Sequence, residues 1–322
     1  MAHIALIGLG EVGGLAAEEF LTRGHRVTWF DTAGTDPDSI PARTARRLAL
    51  HPPRALAEAL ADADAVLCAV TAGSAVRAAE AAAPALPRDA WFIDLNSSAP
   101  GHKAAAARAV EAAGGRYVET ALMSAFGARR LDSPFLVGGP RAAAFATEAA
   151  ELGMSDVTVV DGPIGTAAAT KLSRSVLIKG LEALFAESLL TARAHGVERA
   201  VLASLPGLLP EADWERIAAY FVERSLHHGR RRAEEMEQAA GMVADTGVDP
   251  WMATATARRE EWAAALGVPL PERAEDLPAL GDLLDAVRRH ADPDARRALH
   301  LQPQPQTQPQ TQPQTQPDGD LS

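Results

Sequence analysis

Along the first half of the chain, short apolar runs alternate with longer stretches in which apolar residues recur every three or four positions. The runs HIALIG (3–8), RVTWF (26–30), AVLCAV (65–70), AWFIDL (90–95), RYVET (116–120), PFLVGG (134–139) and DVTVV (156–160) are short and rich in β-branched or aromatic residues. They predict strands. Stretches between them, such as GGLAAEEFLTRG (13–24) and SAVRAAEAAAPAL (74–86), carry helical spacing. Repetition of strand, helix and strand implies a doubly wound parallel sheet in an α/β domain. The pattern changes after Asp161-Gly162-Pro163, and from there to about residue 300 only helical patterning appears. The first of these helices is expected over Thr166–His195, a length that suits a connector leaving one domain and founding the next. The expected units are therefore a sheet domain over 1–163, an all-α domain over 164–301, and a Gln/Pro/Thr-rich tail over 302–322. The tail contains almost no hydrophobes to bury and is expected to be disordered.

Composition narrows the classes. The chain has 322 residues, enough for two domains of ordinary size. Hydrophobic residues make up 47% and aromatics only 5%, and the alanine-rich remainder favours closely packed helices. A formal net charge of −11 argues against diffuse nucleic-acid binding. No uninterrupted apolar stretch approaches the ~18 residues of a membrane span. The start, MAHIALIGLG, lacks the charged segment of a signal peptide, so a soluble cytoplasmic protein is expected. The single cysteine, Cys68, forms no intrachain disulfide and, inside AVLCAV, reads as a buried inert thiol.

The strongest local signal follows the first strand. Gly8-Leu9-Gly10-Glu11-Val12-Gly13 is a GxGxxG turn that ends a strand and opens a helix. Gly8 permits the tight turn, Gly10 lets a pyrophosphate approach the backbone, and Gly13 lets helix and sheet pack closely. The helix N-terminus then offers oriented N–H groups to phosphate. The second strand ends in Asp31, eighteen residues beyond Gly13, where an acid binds the ribose hydroxyls of a dinucleotide. A carboxylate there repels a 2′-phosphate, so NAD is expected, with NADP as the alternative. This is a Rossmann-type pattern. Val70 and Thr71, after the third strand, and Asn96, after the fourth, join the cofactor-binding candidates because ligands sit at the carboxyl ends of such strands.

The stretch DLNSSAPG (94–101) puts Ser97 and Ser98 at the same edge, as substrate contacts or as a Ser-rich helix cap. Taken with IGLGEVGG (7–14), ETALMSA (119–125) and GPIGTAAATKLSRS (162–175), it resembles the β-hydroxyacid dehydrogenase family. That family includes 3-hydroxyisobutyrate dehydrogenase and is related to 6-phosphogluconate dehydrogenase. The later HHGRRRAEEMEQAAGMV (227–243) resembles a less characterised branch whose all-α C-terminal domain has no assigned role. The resemblance spans about 290 residues and implies a Rossmann domain, a long interdomain helix and a helical domain that forms a homodimer. It implies NAD(P)-linked hydride transfer on a small anionic hydroxy or oxo acid, with Lys171 as general acid/base.

Lys171 lies in GTAAATKLSRSVLIKG (165–180), an amphipathic helix on which Arg174, Ser175 and Lys179 share its arc, with Leu172, Val176, Leu177 and Leu181 opposite. Periodicity alone reads that arc as a solvent-facing stripe; the resemblance turns Lys171 towards a site. Two positions depart from the family pattern. Its asparagine, four residues after the lysine, is Ser175. Its substrate-contacting serine aligns with Met123, with Ser124 one place later. Arg174, Lys179 and Arg231 are the cationic substrate-binding candidates. Arg129, Arg130 and the run Arg230-Arg231-Arg232 read either as anion sites or as solvated surface pairs. Trp214, Trp251 and Trp262 read as core or dimer anchors. The spacing of His227 and His228 gives no metal site. Imine reduction on the same fold, or dinucleotide binding without turnover, are the competing readings.

Overall fold

The computed structural model describes residues 1–207, 213–271 and 278–291. The Gln/Pro/Thr-rich tail and residues 292–301 lie outside the described residues.

All seven expected strands form: β1 (His3–Ile7), β2 (Arg26–Phe30), β3 (Ala65–Cys68), β4 (Trp91–Asp94), β5 (Arg116–Leu122), β6 (Phe135–Gly138) and β7 (Val157–Val160). They make one sheet in the order β2-β1-β3-β4-β5-β6-β7. β1 is buried at all five positions, as a strand covered on both faces requires. The helices of this part are α1 (Glu11–Thr22), α2 (Ile40–Arg47), α3 (Leu56–Leu60), α4 (Ala75–Ala82), α5 (Pro100–Ala112), α6 (Phe126–Arg129) and α7 (Ala142–Ala149). Ile4, Leu6, Phe20, Trp29 and Phe145 fill one side of the sheet. Ala5, Val66, Phe92, Val110 and Tyr117 fill the other.

The sheet is not wholly parallel, which corrects the sequence expectation. β6 runs antiparallel to β5, and β7 lies parallel to β6. The connection over 123–134 holds only the single turn α6 and a short 3₁₀ segment. No crossover helix forms in it, and the chain turns back beside β5 as an antiparallel neighbour.

The helical part contains α8 (Thr166–His195), α9 (Glu198–Ser204), α10 (Trp214–Asp245), α11 (Trp251–Ala265) and α12 (Leu280–His290). α8 spans the residues expected for the long connector. α10 packs on both α8 and α11. Gly229 makes the second contact possible, since a Cβ there would lie 2.4 Å from the Glu260 carbonyl oxygen. Leu189, Val222, Leu283 and Leu284 form the main helical core. Leu172, Met236 and Ala239 form a smaller one nearer the sheet. Trp214 stacks on Phe185 at 5.7 Å between ring centres, and Trp262 packs against the main core. Trp251 is 76% exposed. On the face of α8 expected to be apolar, Leu172 is buried and Val176 packs beside it, whereas Leu177 and Leu181 are exposed and form an outward stripe with Leu184.

Candidate active site

The glycine turn is fixed by close approach. A Cβ on Gly8, whose φ is 94°, would lie 2.3 Å from the Ala69 carbonyl oxygen. One on Gly13 would lie 2.0 Å from the Gly8 carbonyl oxygen. Gly10 differs: nothing stands within 4 Å of where its Cβ would be. Gly10 caps α1 without a side-chain hydrogen bond, so the first N–H groups of the helix face open space. Asp31 stands beside this turn. Its Oδ2 accepts from the Leu9 N–H at 2.9 Å and its Oδ1 from the Ala33 N–H at 2.9 Å. Each oxygen keeps a lone pair for a ribose hydroxyl.

A cavity of about 680 Å³ runs from Asp31 past Gly8, Gly10 and Asn96 to Lys171. It opens where β1 lies between β2 and β3, the point at which the strand order reverses. The open volume over Gly10, the free helix N-terminus and the acid at the ribose position together fit a dinucleotide.

Most of the cofactor-binding candidates meet here. Glu11, Val12, Val70 and Thr71 line the cavity, as does Ser97. Leu9 and Gly13 lie just behind the wall and shape the turn. The Val70 N–H donates to Asn96 Oδ1 at 2.7 Å, tying the two strand ends together. The substrate candidates divide. Arg231 lines the cavity and makes no ion pair among the described residues. Ser98 is buried off the wall. Met123 is half-buried and Ser124 exposed, neither on the wall; Leu122 takes their place. Arg174 points into solvent, so it does not share the cleft. Ser175 and Lys179 are buried behind Lys171. Arg129 pairs with Asp156 at 3.1 Å and Arg130 with Glu18 at 3.1 Å, so both belong to surface pairs. Arg232 is buried between Glu182 and Glu260. No cluster that could hold a metal ion occurs among the described residues.

Lys171 sits where the two parts meet. Its Nζ donates to Ser97 Oγ at 2.5 Å and lies 3.7 Å from Glu235 Oε1 on α10. Burial pushes its pKa below the ordinary lysine value, Lys103 and Arg231 push the same way, and Glu235 opposes them. Glu235, Glu234, Thr32 and Arg77 also line the cavity and were not anticipated. Gln238 accepts from the Ala99 N–H at 3.1 Å, holding α10 against the serine-rich loop.

Two buried carboxylates set this geometry. Glu119 reaches from β5 to the start of α8. Its Oε1 accepts from the Gly165 N–H at 2.8 Å and the Ala167 N–H at 3.2 Å, and its Oε2 from the Ala168 N–H at 3.4 Å. Gly165, at φ 105°, makes the turn into the helix. Asp94 ends β4. Lys103 Nζ lies 2.8 Å from its Oδ1, Tyr117 donates to its Oδ2 at 2.7 Å, and Asn96 Nδ2 donates to Oδ1 at 2.7 Å. This network fixes the Asn96–Ser97 strand end. Beside it the Cys68 thiol is pushed up to about 12 by burial, with Asp94 adding to the shift, as an inert thiol requires.

A cleft of this form, with a dinucleotide turn facing a buried lysine, belongs to the NAD(P)-dependent oxidoreductases. Comparison with known proteins agrees. Residues 3–156 match the NAD binding domain of 6-phosphogluconate dehydrogenase, and residues 192–263 match a domain of unknown function, DUF1932. A conserved hypothetical protein from Sinorhizobium meliloti 1021 is similar at 32% identity over 90% of this chain and 97% of its own, with a TM-score of 0.69. A conserved protein of unknown function, MTH1747, described as structurally similar to 3-hydroxyacid dehydrogenases, matches at 25% identity over 90% of this chain and 100% of its own, TM-score 0.64. Mycobacterium tuberculosis 3-hydroxyisobutyrate dehydrogenase, solved with L-serine, shares the fold at 20% identity, covering 89% and 99% of the two chains, TM-score 0.67. No match is found among curated proteins. The chain belongs to the β-hydroxyacid dehydrogenase family. Its cofactor is a nicotinamide dinucleotide, NAD or NADP.

Proposed function

We propose that the protein is an NAD-preferring dehydrogenase or reductase acting at the CH–OH or C=O carbon of a small anionic substrate. One observation carries this reading: the Lys171 amine stands in the same cavity as the dinucleotide turn, next to Ser97 and Arg231. The bound dinucleotide supplies or accepts the hydride. Lys171 Nζ takes the hydroxyl proton in the oxidation direction and returns it to the carbonyl oxygen in reduction. The Ser97 hydroxyl, already bonded to Nζ, is placed to hold the same substrate oxygen. Arg231, which makes no ion pair among the described residues, offers its guanidinium to the acid group. Because burial depresses the Lys171 pKa, the neutral amine needed for oxidation is available at lower pH than for a free lysine. The protein works as a cytoplasmic homodimer through the leucine stripe of α8, which no described part of the chain covers.

The test is a panel of hydroxy acids, keto acids and cyclic imines assayed with NAD(H), using wild type and Lys171→Ala. Turnover of an acid that falls by about 10² or more in the variant supports the reading. Undiminished turnover refutes the role of Lys171. Turnover confined to imines, a chemistry named for neighbours such as the imine reductase from Myxococcus stipitatus, selects the second enzyme reading. NADH binding without any turnover selects a binding protein.

A further inference from the structure

Lysine is rare in this chain. There are three, Lys103, Lys171 and Lys179, against 28 arginines. The surface cations are arginine, whereas the three lysine side chains are only 1%, 15% and 8% exposed. All three surround one end of the cleft. An ammonium is a compact charge that gives up its proton when desolvated; a guanidinium does not. The chain thus keeps lysine where arginine could not serve. Lys103 is explained by its pairing with Asp94 beneath the Asn96 strand end. Lys179 is not explained: it lies two turns beyond Lys171, off the cavity wall, and burial of a charge there is costly.

We propose that Glu235 and Lys179 form a positioning pair for Lys171, in which Glu235 holds the Lys171 amine towards the cavity and Lys179 shares that carboxylate so that Lys171 releases its proton readily. The inference rests on the reading of Lys171 as the acid/base group. Lys179 Nζ lies 2.6 Å from Glu235 Oε2, and Lys171 Nζ lies 3.7 Å from Oε1. Ser175 Oγ donates to Glu235 Oε1 at 3.3 Å and accepts from Lys179 Nζ at 3.4 Å. Serine at this position, where the family carries asparagine, is small enough to let the carboxylate sit between the two lysines. The nearer ammonium, Lys179, keeps the larger share of the carboxylate.

The charges around Lys171 are Glu235 and Arg231 from α10, Lys103 from α5, and Lys179 from its own helix, with Glu234 also on the cavity wall. Arg232 stands near Lys179. Despite its burial, Glu235 is held at about 2 by the charge of Lys171 and by Lys179, which adds a hydrogen bond to its charge. Lys179 is lowered to about 8 by burial, against the pull of Glu235. Two ammoniums sharing one buried carboxylate leave a net positive charge. The first proton departs easily, and the second is then retained in a plain ion pair.

Because the chain has only three lysines, protein labelled with [6-¹³C]lysine gives three Cε signals, assignable by single substitution. Each is titrated in wild type, Glu235→Gln and Lys179→Met, with no substrate present. In Glu235→Gln, Lys171 loses its countercharge, and its midpoint should fall by about one unit or more. In Lys179→Met, it loses a competing cation and keeps the whole carboxylate, so its midpoint should rise. Unchanged near-UV circular dichroism in both variants serves as the control for an intact fold. A merely structural role for Glu235 would lower the melting temperature and leave the Lys171 midpoint where it was. A Lys171 midpoint that is unmoved, or that moves the same way in both variants, overturns the proposal. Should Glu235→Gln fail to fold, Lys179→Met decides alone: a rise supports, and no change or a fall overturns. The titration needs no turnover. Opposite shifts in a protein that oxidises nothing would retain the pair and reject the dehydrogenase reading.

Discussion

Glu119→Ala and Glu119→Gln separate two roles that a buried carboxylate at a helix start can have. The wild-type side chain is fully buried and satisfies three N–H groups at the start of α8. Alanine orphans all three, at about 1–3 kcal/mol each. The losses are not additive, and relief from burying a charge offsets part of them, so about 3–5 kcal/mol is expected. For a protein of this size that lowers Tm by roughly 6–15 °C. Glutamine keeps an oxygen for the Gly165 and Ala167 N–H groups and removes the buried charge, so it should cost less than about 1.5 kcal/mol. The pH dependence has a definite sign. Burial raises the Glu119 pKa above its ordinary value, against Lys103 and the three N–H groups. A raised acid contributes stability that is present below the unfolded pKa and lost as pH rises through the folded one. Glutamine has no such loss, so Glu119→Gln should gain on wild type as pH rises from about 4.5. Thermal melts followed by near-UV circular dichroism across pH 4 to pH 8 measure all of this. If glutamine were as damaging as alanine at every pH, the charge and not the acceptor would be holding α8. If both were silent, the start of α8, five residues before Lys171, would be held by something else.

Three further outcomes follow from the site and the leucine stripe. Gly13→Ala should lower Tm markedly, because its Cβ has no room against the Gly8 carbonyl, while Gly10→Ala should fold normally and weaken NADH binding seen by fluorescence; equal effects would contradict the cradle over Gly10. Asp31→Asn removes the charge that repels a 2′-phosphate, with Arg77 on the same cavity wall, and the NADPH-to-NADH ratio of Kd should fall at least about tenfold, or ~1.4 kcal/mol; an unchanged ratio would deny Asp31 its discriminating role. Leu181→Asp combined with Leu184→Asp puts two charges into the exposed stripe of α8, and light scattering should report a dimer for wild type and a monomer for the variant; a monomeric wild type refutes the assembly.

Much of this fold could be read from local pattern. Every strand was visible as a run, and Thr166–His195 as a long helix, because backbone periodicity is recorded within a few residues. The Gly8–Gly13 turn was legible for a similar reason: its demands are on adjacent residues. The direction of β6 was not, since a connection the length of 123–134 allows either a crossover or a turn back. Nor were the carboxylates that organise the site. Glu119 in a strand and Glu235 in a helix look like ordinary surface acids until folding brings the start of α8 to one and two lysines to the other.

The arc on α8 shows what periodicity can and cannot decide. The spacing groups Lys171, Ser175 and Lys179 on one side, but it does not say which side is wet. Burial of that side is tolerable only because α10 supplies Glu235, and Arg174, one position from Ser175, falls outside its reach and stays in solvent. Leu172 and Val176 still pack inward, but Leu177 and Leu181, which read as core, are left outward beside Leu184, on the surface where a second chain is expected. One signal could have indicated the inward face without any structure. In a chain with 28 arginines and three lysines, two lysines eight residues apart on one helix set that arc apart from the arginine-bearing surface, because an ammonium and a guanidinium are not interchangeable where a cation is buried.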